Sequence, residues 1–376
     1  MTTATRPRAL AACLLACWLT AAPAGQTAAR ESDGRTAGDW SGVQLAWRDD
    51  PRAAADVPSV VEPAPQRRPS RRGRRAASRR RIPTEEPAEE RAWTDAVHTA
   101  DAAHPVQDAI IVHRDQPYGA EPCHARQRFD VHLPAACTGG ALPLVVWFHG
   151  EDWRSGSKSD CPIAWLAEQG YAVISVGYRL SDAAPFPAQE QDCRLALDAI
   201  VRDAATWGVD PERICVVGAA AGGHLAALVG LSMSDEPSQA TRPRTEVAAL
   251  CTIGAPTHLT SLGPAHDRPG SPASRLIGGP LPEFREAAQR ASPLTRVSAD
   301  APPTLILHGS RDTTVPPDQG VRLDRALRGV GVDSTLVMLD DVATPVPLGR
   351  GSPAGTALLE FLDRVLGPGT RPAPAD

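Results

Sequence analysis

From residue 109 onward, short apolar runs alternate with longer stretches of helical pattern, and this alternation constrains the fold more than any other feature. Such an order is typical of a mostly parallel sheet with helices on both faces. The run at 144–148 is continuously apolar, which predicts a central strand covered on both sides. We therefore predict an α/β fold whose central sheet has about eight strands. The strands are expected at residues 110–113, 129–133, 144–148, 171–176, 214–217, 247–253, 303–307 and 335–339, and helices at 189–207 and 317–327.

Composition divides the 376-residue chain into four parts. Residues 1–24 carry two arginines, an apolar run and an alanine–proline–alanine site, the pattern of a secretory signal peptide. Residues 25–107 are rich in alanine, proline, arginine and glutamate without sustained periodicity, which predicts a disordered linker because so little apolar surface can be buried. The folded domain is expected at residues 108–368, and a disordered tail at 369–376.

The signal peptide predicts export to the periplasm or beyond the cell. Its apolar run is shorter than the about 20 residues that cross a bilayer, so no transmembrane span is expected. A lipoprotein anchored at Cys17 is the less favoured alternative, because the bulky Leu15 fits a lipid-attachment box poorly. In an oxidising compartment the cysteines of the domain are candidates for disulfides, and spacing does not choose their pairing. These cysteines are Cys123, Cys137, Cys161, Cys193, Cys215 and Cys251.

The charge pattern of the linker bears on whether the chain binds polyanions. An arginine-rich run begins at Arg67 and ends at Arg81, and acidic residues follow it directly. It is either a tether for polyanions or, as we prefer, a solvated linker whose charges neutralise one another, because no aromatic side chains are interleaved to stack on bases. No specific nucleic-acid partner is therefore expected.

Within the domain, Cys215 lies in an apolar run and is expected as a buried free thiol.

Residues 213–228 predict a strand, a sharp turn flanked by glycines, and a helix. This is the context of a nucleophile elbow, G-x-S-x-G, where the glycines allow a turn tight enough to lift a serine oxygen above the sheet. Gly218 and Gly222 occupy the glycine positions, but Ala220 stands at the serine position. A methyl group cannot attack a carbonyl carbon, so the elbow lacks its nucleophile. Neither Cys215, within the strand, nor Ser232, farther along the helix, is expected at the turn.

Together with the segments at 148–158, 170–181, 186–189 and 210–214, this elbow resembles a known family. It is similar to the α/β-hydrolases that include hormone-sensitive-lipase-like carboxylesterases and the bacterial feruloyl and acetyl-xylan esterases. The resemblance covers residues 110–366. It implies an α/β-hydrolase fold and, where the site is intact, a serine-dependent carboxylic ester hydrolase without cofactor or metal.

The resemblance also assigns the oxyanion loop, whose His-Gly-Gly-Gly motif becomes His149, Gly150, Glu151 and Asp152 here. An oxyanion hole needs backbone N–H groups from this loop and from the residue after the nucleophile, here Ala221. The two carboxylates either repel a developing oxyanion or point to solvent and leave the N–H groups in place. A further hypothesis places the Glu151 carboxylate on the N-terminus of the elbow helix, where it plugs the vacated centre.

The family motif HGxxDxxVP matches residues 308–316 and makes Asp312 the equivalent of the catalytic acid. The histidine position after the next strand aligns with Thr344, and no histidine follows His308. Asp312 is therefore expected to survive alone, as an acceptor that organises its loop. Trp147 and Trp153, which flank the oxyanion loop, either line a sugar-binding cleft or pack in the core, and the core is the commoner outcome.

Three functions remain under consideration. The favoured one is a non-catalytic binding or scaffold protein whose ligand is unknown, with a carbohydrate or an acyl compound as candidates. The second is an active carboxylic ester hydrolase with a non-standard site, and the third is an envelope adaptor that binds polyanions through the linker. The first is preferred because loss of triad members leaves only about 10³- to 10⁴-fold acceleration over water, and here the oxyanion loop is altered as well.

Overall fold

The computed structural model describes residues 110–120, 123–136, 140–231 and 245–369. The predicted signal peptide, the linker with its arginine-rich run and residues 370–376 lie outside these ranges, as do Cys137 and Ser232. The assignments made for them, including export and polyanion binding, stay predictions.

Eight strands form one sheet, and each of the eight predicted strands is confirmed. The sheet order is β1-β2-β4-β3-β5-β6-β7-β8. The second strand pairs antiparallel with β1 and β4, and the remaining neighbours are parallel. The strands are β1 (Ile110–Pro117), β2 (Arg128–Pro134), β3 (Leu142–Phe148), β4 (Ala172–Val176), β5 (Val209–Ala219), β6 (Ala249–Ile253), β7 (Thr304–Gly309) and β8 (Ser334–Leu339).

Helices connect the strands and cover both faces of the sheet. The helix predicted at 189–207 is divided at Asp203, and the second piece ends at Gly208, whose φ of 64° is the left-handed cap that glycine favours. The α-helices are α1 (Ala188–Arg202), α2 (Ala204–Trp207), α3 (Ala221–Gly230), α4 (Pro272–Ile277), α5 (Arg285–Arg290), α6 (Asp318–Gly329) and α7 (Pro353–Val365), and shorter 3₁₀ turns lie at Ala164–Gln169, Leu259–Ser261 and Pro293–Arg296.

The central strand β3 separates two apolar layers, as its continuous apolar run predicts. Leu144, Val146 and Phe148 pack in one layer with α1 and α3. Val145 and Trp147 pack in the other layer with α7. Since successive side chains of a strand point to opposite faces, a strand that is buried on both sides must be apolar at every position.

Parallel strands bring the predicted functional residues to one edge of the sheet. Gly150 follows β3, Ala220 follows β5, Asp312 follows β7 and Thr344 follows β8. These four strands run in the same direction, so the loops at their carboxyl ends meet at the same edge.

The expected disulfides are not found among four of the domain's cysteines. Cys161, Cys193 and Cys251 are free thiols, so the disulfide prediction is wrong for them, whereas Cys215 is the buried free thiol that its apolar run predicts. On neighbouring strands, Cys215 is paired with Ala249, and Cys251 lies two positions farther along β6, out of register for a bridge. Burial raises the pKa of the Cys161 thiol to about 12, which suits a thiol that stays protonated. Among the described residues, no helix combines the length and apolar character that a bilayer span requires.

Candidate functional site

The turn between β5 and α3 has the backbone geometry of a nucleophile elbow. Ala220 caps α3 with φ 47° and ψ −117°, a region that residues other than glycine rarely adopt. Its N–H donates to the carbonyl of Ile253 at 2.8 Å, and its own carbonyl accepts from the N–H of His224 at 3.0 Å. Ala220 is partly exposed, whereas the helix that follows it is buried. A side chain at this position is therefore presented at the top of the sheet, and here that side chain is a methyl group.

The two elbow glycines permit the turn because backbone packs directly against them. A Cβ on Gly222 would overlap the carbonyl oxygen of Phe148, at the end of β3. A Cβ on Gly218 would overlap the carbonyl of Gly222 itself. Since no larger residue fits either position, the glycine spacing holds the elbow in place whether or not position 220 carries a nucleophile.

The predicted oxyanion loop contains three consecutive residues in the left-handed region. Glu151, Asp152 and Trp153 have φ values of 67°, 57° and 59°. Glycine adopts this conformation at the lowest cost, whereas other residues are strained there. The Glu151 carbonyl accepts hydrogen bonds from the N–H groups of Arg154 and Ser155 at 3.0 and 3.2 Å, which closes the loop on itself.

The two carboxylates of this loop lie in different surroundings. Asp152 is exposed, and Glu151 is half-buried. A Cβ added to Gly156 would lie 3.4 Å from Oε2 of Glu151, so this carboxylate oxygen lies beside Gly156. The hypothesis that Glu151 binds the N-terminus of α3 stays a prediction.

Three contacts tie the oxyanion loop to the rest of the domain. The indole N–H of Trp153 donates to Nδ1 of His224 at 3.2 Å. Arg126 donates from Nη1 to the carbonyl of Gly156 at 2.8 Å. Lys158 contacts Oδ1 of the buried Asp130 at 2.9 Å, which joins the loop to β2. We did not predict this last contact. The one signal for it in the sequence is that Lys158 is the single lysine of the chain.

The tryptophans that flank the loop belong to the core. Trp147 is 0% exposed and Trp153 is 3% exposed. The interpretation that they line a sugar-binding cleft is therefore wrong, because neither indole faces solvent. The indole N–H of Trp147 donates to the carbonyl of Asp160 at 2.7 Å, which satisfies its one polar group inside the core.

The histidines near the elbow have structural partners. His149 stacks on Tyr178 with ring centroids 4.2 Å apart, and burial lowers its pKa to about 3. Burial likewise lowers the pKa of His224 to about 4. His224 accepts from Trp153 at Nδ1 and donates from Nε2 to the carbonyl of Ala291 at 2.6 Å. Both nitrogens of His224 are thus engaged, and neither can serve as a base for a group at position 220.

Asp312, the predicted equivalent of the catalytic acid, is held in place by hydrogen bonds from its own loop. Asp312 is 4% exposed, and its Oδ1 accepts from the N–H groups of Thr314 and Val315 at 2.9 and 2.8 Å. Its Oδ2 receives no hydrogen bond from any described residue. His308 Nε2 lies 3.6 Å from Oδ2 but 2.9 Å from the carbonyl of Val315, so its N–H is directed to that carbonyl.

The loop that carries Thr344 packs against the loop of Asp312. Ser310 donates from its N–H to the carbonyl of Leu339, and Arg311 donates from its N–H to the carbonyl of Val342, both at 2.9 Å. The Thr344 hydroxyl is buried and bonds to no described residue.

Gly254 connects this region to the elbow. A Cβ on Gly254 would lie 3.4 Å from Oδ2 of Asp312. The preceding residue, Ile253, is the one whose carbonyl accepts from Ala220. Asp312 and Ala220 therefore both lie beside the segment of Ile253 and Gly254 at the end of β6.

The sheet order, the elbow and the acid loop define an α/β-hydrolase of the esterase type. The BD-FAE family model matches residues 129–327, just over half of the 376 residues, and the chain belongs to this family.

Curated relatives are esterases by name. The chain is 27% identical over 250 residues to Esterase LipC of Mycobacterium tuberculosis (strain ATCC 25618 / H37Rv), covering 63% of this chain and 60% of LipC. It is 30% identical over 187 residues to the Probable carboxylic ester hydrolase LipM of the same strain, covering 48% of this chain and 43% of LipM. The chain thus spans only about half the length of these relatives.

Solved structures share the fold at lower identity. A truncated form of a carbohydrate esterase from gut microbiota aligns with TM-score 0.63 at 23% identity, over 70% of this chain and 99% of that one. Esterase B from Lactobacillus rhamnosis aligns with TM-score 0.62 at 19% identity, over 74% of this chain and 93% of that one.

Proposed function

We propose that this protein is a non-catalytic member of the esterase-type α/β-hydrolases that binds a ligand at the old active centre without hydrolysing it. The observation that carries the proposal is Ala220, which has the strained elbow conformation, φ 47° and ψ −117°, and only a methyl group to present. The backbone therefore keeps the conformation of a nucleophile position, but the side chain has no group that can attack a carbonyl carbon.

A base is missing as well as a nucleophile. Serine hydrolases need an imidazole that takes the nucleophile's proton and returns it to the leaving group. Thr344 stands at the family's histidine position, and His224 is engaged at both nitrogens. Enzymes whose triad residues have been replaced still accelerate the reaction about 10³- to 10⁴-fold over water, through the oxyanion hole and substrate binding. This acceleration is far below that of an intact esterase.

A shallow depression that is largely open to solvent supports a carbohydrate or acyl ligand. It has a volume of about 300 Å³, and its lining includes Ser181, Asp182 and Arg275. Asp182 and Arg275 form an ion pair at 3.3 Å and are both about half exposed, so they can exchange partners with sugar hydroxyls. Ser181 donates from its N–H to the carbonyl of Trp153 at 2.8 Å, so this lining residue of the depression adjoins the oxyanion loop.

The second candidate function is an active carboxylic ester hydrolase with a non-standard site. Membership in the BD-FAE family and the names of the relatives, Esterase LipC and the Probable carboxylic ester hydrolase LipM, favour it. It requires a nucleophile other than the side chain at position 220.

Covalent trapping separates the two candidates. The full chain is incubated with diethyl p-nitrophenyl phosphate, which phosphorylates an activated nucleophile, and its intact mass is measured. We expect no diethylphosphoryl adduct on the wild type and an adduct on an Ala220→Ser, Thr344→His, Glu151→Gly, Asp152→Gly variant. An adduct on the wild type contradicts the proposal, and the digest that locates it identifies the nucleophile of the second candidate.

A further inference from the structure

We infer that residues 343–347 form a strap, which carries the predicted histidine position, and that a latch of Trp165, Glu168 and Arg350 holds this strap closed. Opening the latch releases the strap while the domain stays folded. Such a device goes beyond the proposed function and is independent of it, because it requires neither a nucleophile nor a ligand.

The strap has few attachments of its own. Among the described residues, no backbone–backbone hydrogen bond involves residues 343–347. Pro345 and Pro347 have no N–H to donate, and the buried hydroxyl of Thr344 bonds to no described residue. Val346 packs against the apolar layer on the side of α7 but is only partly buried. Segments with few backbone hydrogen bonds open locally at little cost, so the strap depends on what holds its two ends.

One end of the strap is tied to the loop of Asp312 through the backbone. The carbonyl of Val342 accepts from the N–H of Arg311 at 2.9 Å. A Cβ on Gly309, the last residue of β7, would overlap the same carbonyl, so the two backbones pack directly on each other. Close backbone contacts therefore fix this end.

The other end is tied to the 3₁₀ turn Ala164–Gln169 through the side chains of the latch. The indole N–H of Trp165 donates to the carbonyl of Leu348 at 2.9 Å. Arg350 forms an ion pair with Glu168, and its guanidinium carbon lies 6.0 Å from the centre of the Trp165 ring, within the range of a cation–π contact. The latch therefore decides whether the predicted histidine position is ordered.

The exposure of the ion pair makes the latch breakable. The side chain of Arg350 is 45% exposed, whereas that of Glu168 is 15% exposed. An ion pair with one partner in solvent is screened by salt. Oε1 of Glu168 is buried and accepts no hydrogen bond from a described residue, so loss of Arg350 leaves this carboxylate poorly solvated and without its cation.

Backbone ¹⁵N relaxation measures whether the strap is closed. Order parameters of Ala343, Thr344 and Val346 are determined for the deuterated full chain at low salt. We expect values near about 0.85, those of a rigid backbone, in the wild type and values below about 0.6 in Arg350→Ala. The amides of α7, which follows the strap, are expected to keep their order because the domain stays folded.

Two variants and a salt step serve as controls. Arg350→Lys keeps a cation for Glu168 and is expected to keep the order parameters of the strap close to those of the wild type. Arg364→Ala removes an exposed ion pair outside the latch, with Asp333 at 2.7 Å, and is expected to leave the strap unchanged. Sodium chloride at about 1 M, where the Debye length is about 3 Å, is expected to loosen the strap of the wild type but not that of Arg350→Ala any further.

Equal order parameters of the strap in the wild type and in Arg350→Ala overturn the inference. So does a loss of order in Arg350→Ala that extends to α7, because the latch would then hold the whole domain and not the strap. A strap that Arg364→Ala loosens as much as Arg350→Ala does contradicts it as well. A diethylphosphoryl adduct on the wild type contradicts the proposed function and leaves the strap unaffected.

Discussion

The N–H of Ala220 donates to the carbonyl of Ile253 at 2.8 Å, and this bond fixes the strained elbow to the end of β6. The next residue, Gly254, faces Oδ2 of Asp312. One short segment, formed by Ile253 and Gly254, therefore lies beside both the predicted nucleophile position and the predicted acid position. The elbow keeps a conformation that is strained for alanine, although a methyl group makes no chemical use of it.

This relationship predicts that Ala220→Gly stabilises the protein. A non-glycine residue in such a conformation costs about 1–3 kcal/mol, and the entropic cost of glycine is about 0.5–1 kcal/mol. The net gain in the free energy of unfolding is about 1 kcal/mol, measured by urea denaturation. Ala219→Gly, at the partly exposed end of β5, is the matched control and is expected to be destabilising. A loss of stability in Ala220→Gly as large as in the control contradicts the strain argument.

Gly222→Ala is expected to destabilise the protein by about 3 kcal/mol or more, because the new Cβ overlaps the carbonyl of Phe148 and forces two backbone segments apart. Gly329→Ala, at the end of α6, is the control. Nothing lies within 4 Å of its added Cβ, so it is expected to be neutral or slightly stabilising. Thermal unfolding of both variants checks the pair, and similar melting temperatures would count against close packing of Gly222 on the Phe148 carbonyl.

Lys158→Met is expected to lower the free energy of unfolding by about 2 kcal/mol, because it leaves the carboxylate of Asp130, whose side chain is 1% exposed, without its closest cation. Asp115→Asn removes the other partner of Lys158, a side chain that is 66% exposed, and is expected to change stability far less. Urea denaturation measures both variants. If both variants lost the same stability, the ion pair of Lys158 with Asp130 would contribute no more than its exposed pair with Asp115, and it would not hold the oxyanion loop to β2.

Acid is expected to destabilise the fold through its buried histidines. The folded pKa values of His149 and His224, about 3 and about 4, lie below the ordinary histidine pKa of 6.5. Unfolding therefore takes up protons between pH of about 6.5 and 4, and the free energy of unfolding falls as the pH falls through this window. Each histidine contributes up to about 1.4 kcal/mol per pH unit.

Urea denaturation at a series of pH values measures this slope. His224→Gln is expected to reduce it between pH of about 6.5 and 4 and to leave the dependence between pH of about 7 and 8 unchanged, where histidine is largely neutral in both states. A slope that is the same with and without His224 would show that this histidine is not buried in its neutral form.

The sheet and the elbow were predictable because local sequence determines them. Each buried strand needs a run such as 144–148, and the elbow needs glycine wherever backbone contacts backbone, as at Gly222. The left-handed conformations of Glu151 and Trp153 were not predictable, because these two residue types do not favour them. The contact of Lys158 with Asp130 joins residues distant in sequence, which no periodicity indicates.

Ester hydrolysis separates a non-catalytic binding protein from an active hydrolase. The initial rate of p-nitrophenyl acetate hydrolysis is measured for the wild-type full chain and for the variant with Ala220→Ser, Thr344→His, Glu151→Gly and Asp152→Gly, with Asp312→Asn added to that variant as the control. We expect a wild-type rate within about 10³- to 10⁴-fold of the uncatalysed reaction and turnover in the restored variant that Asp312→Asn reduces. Wild-type hydrolysis above that range would contradict the proposed loss of catalysis.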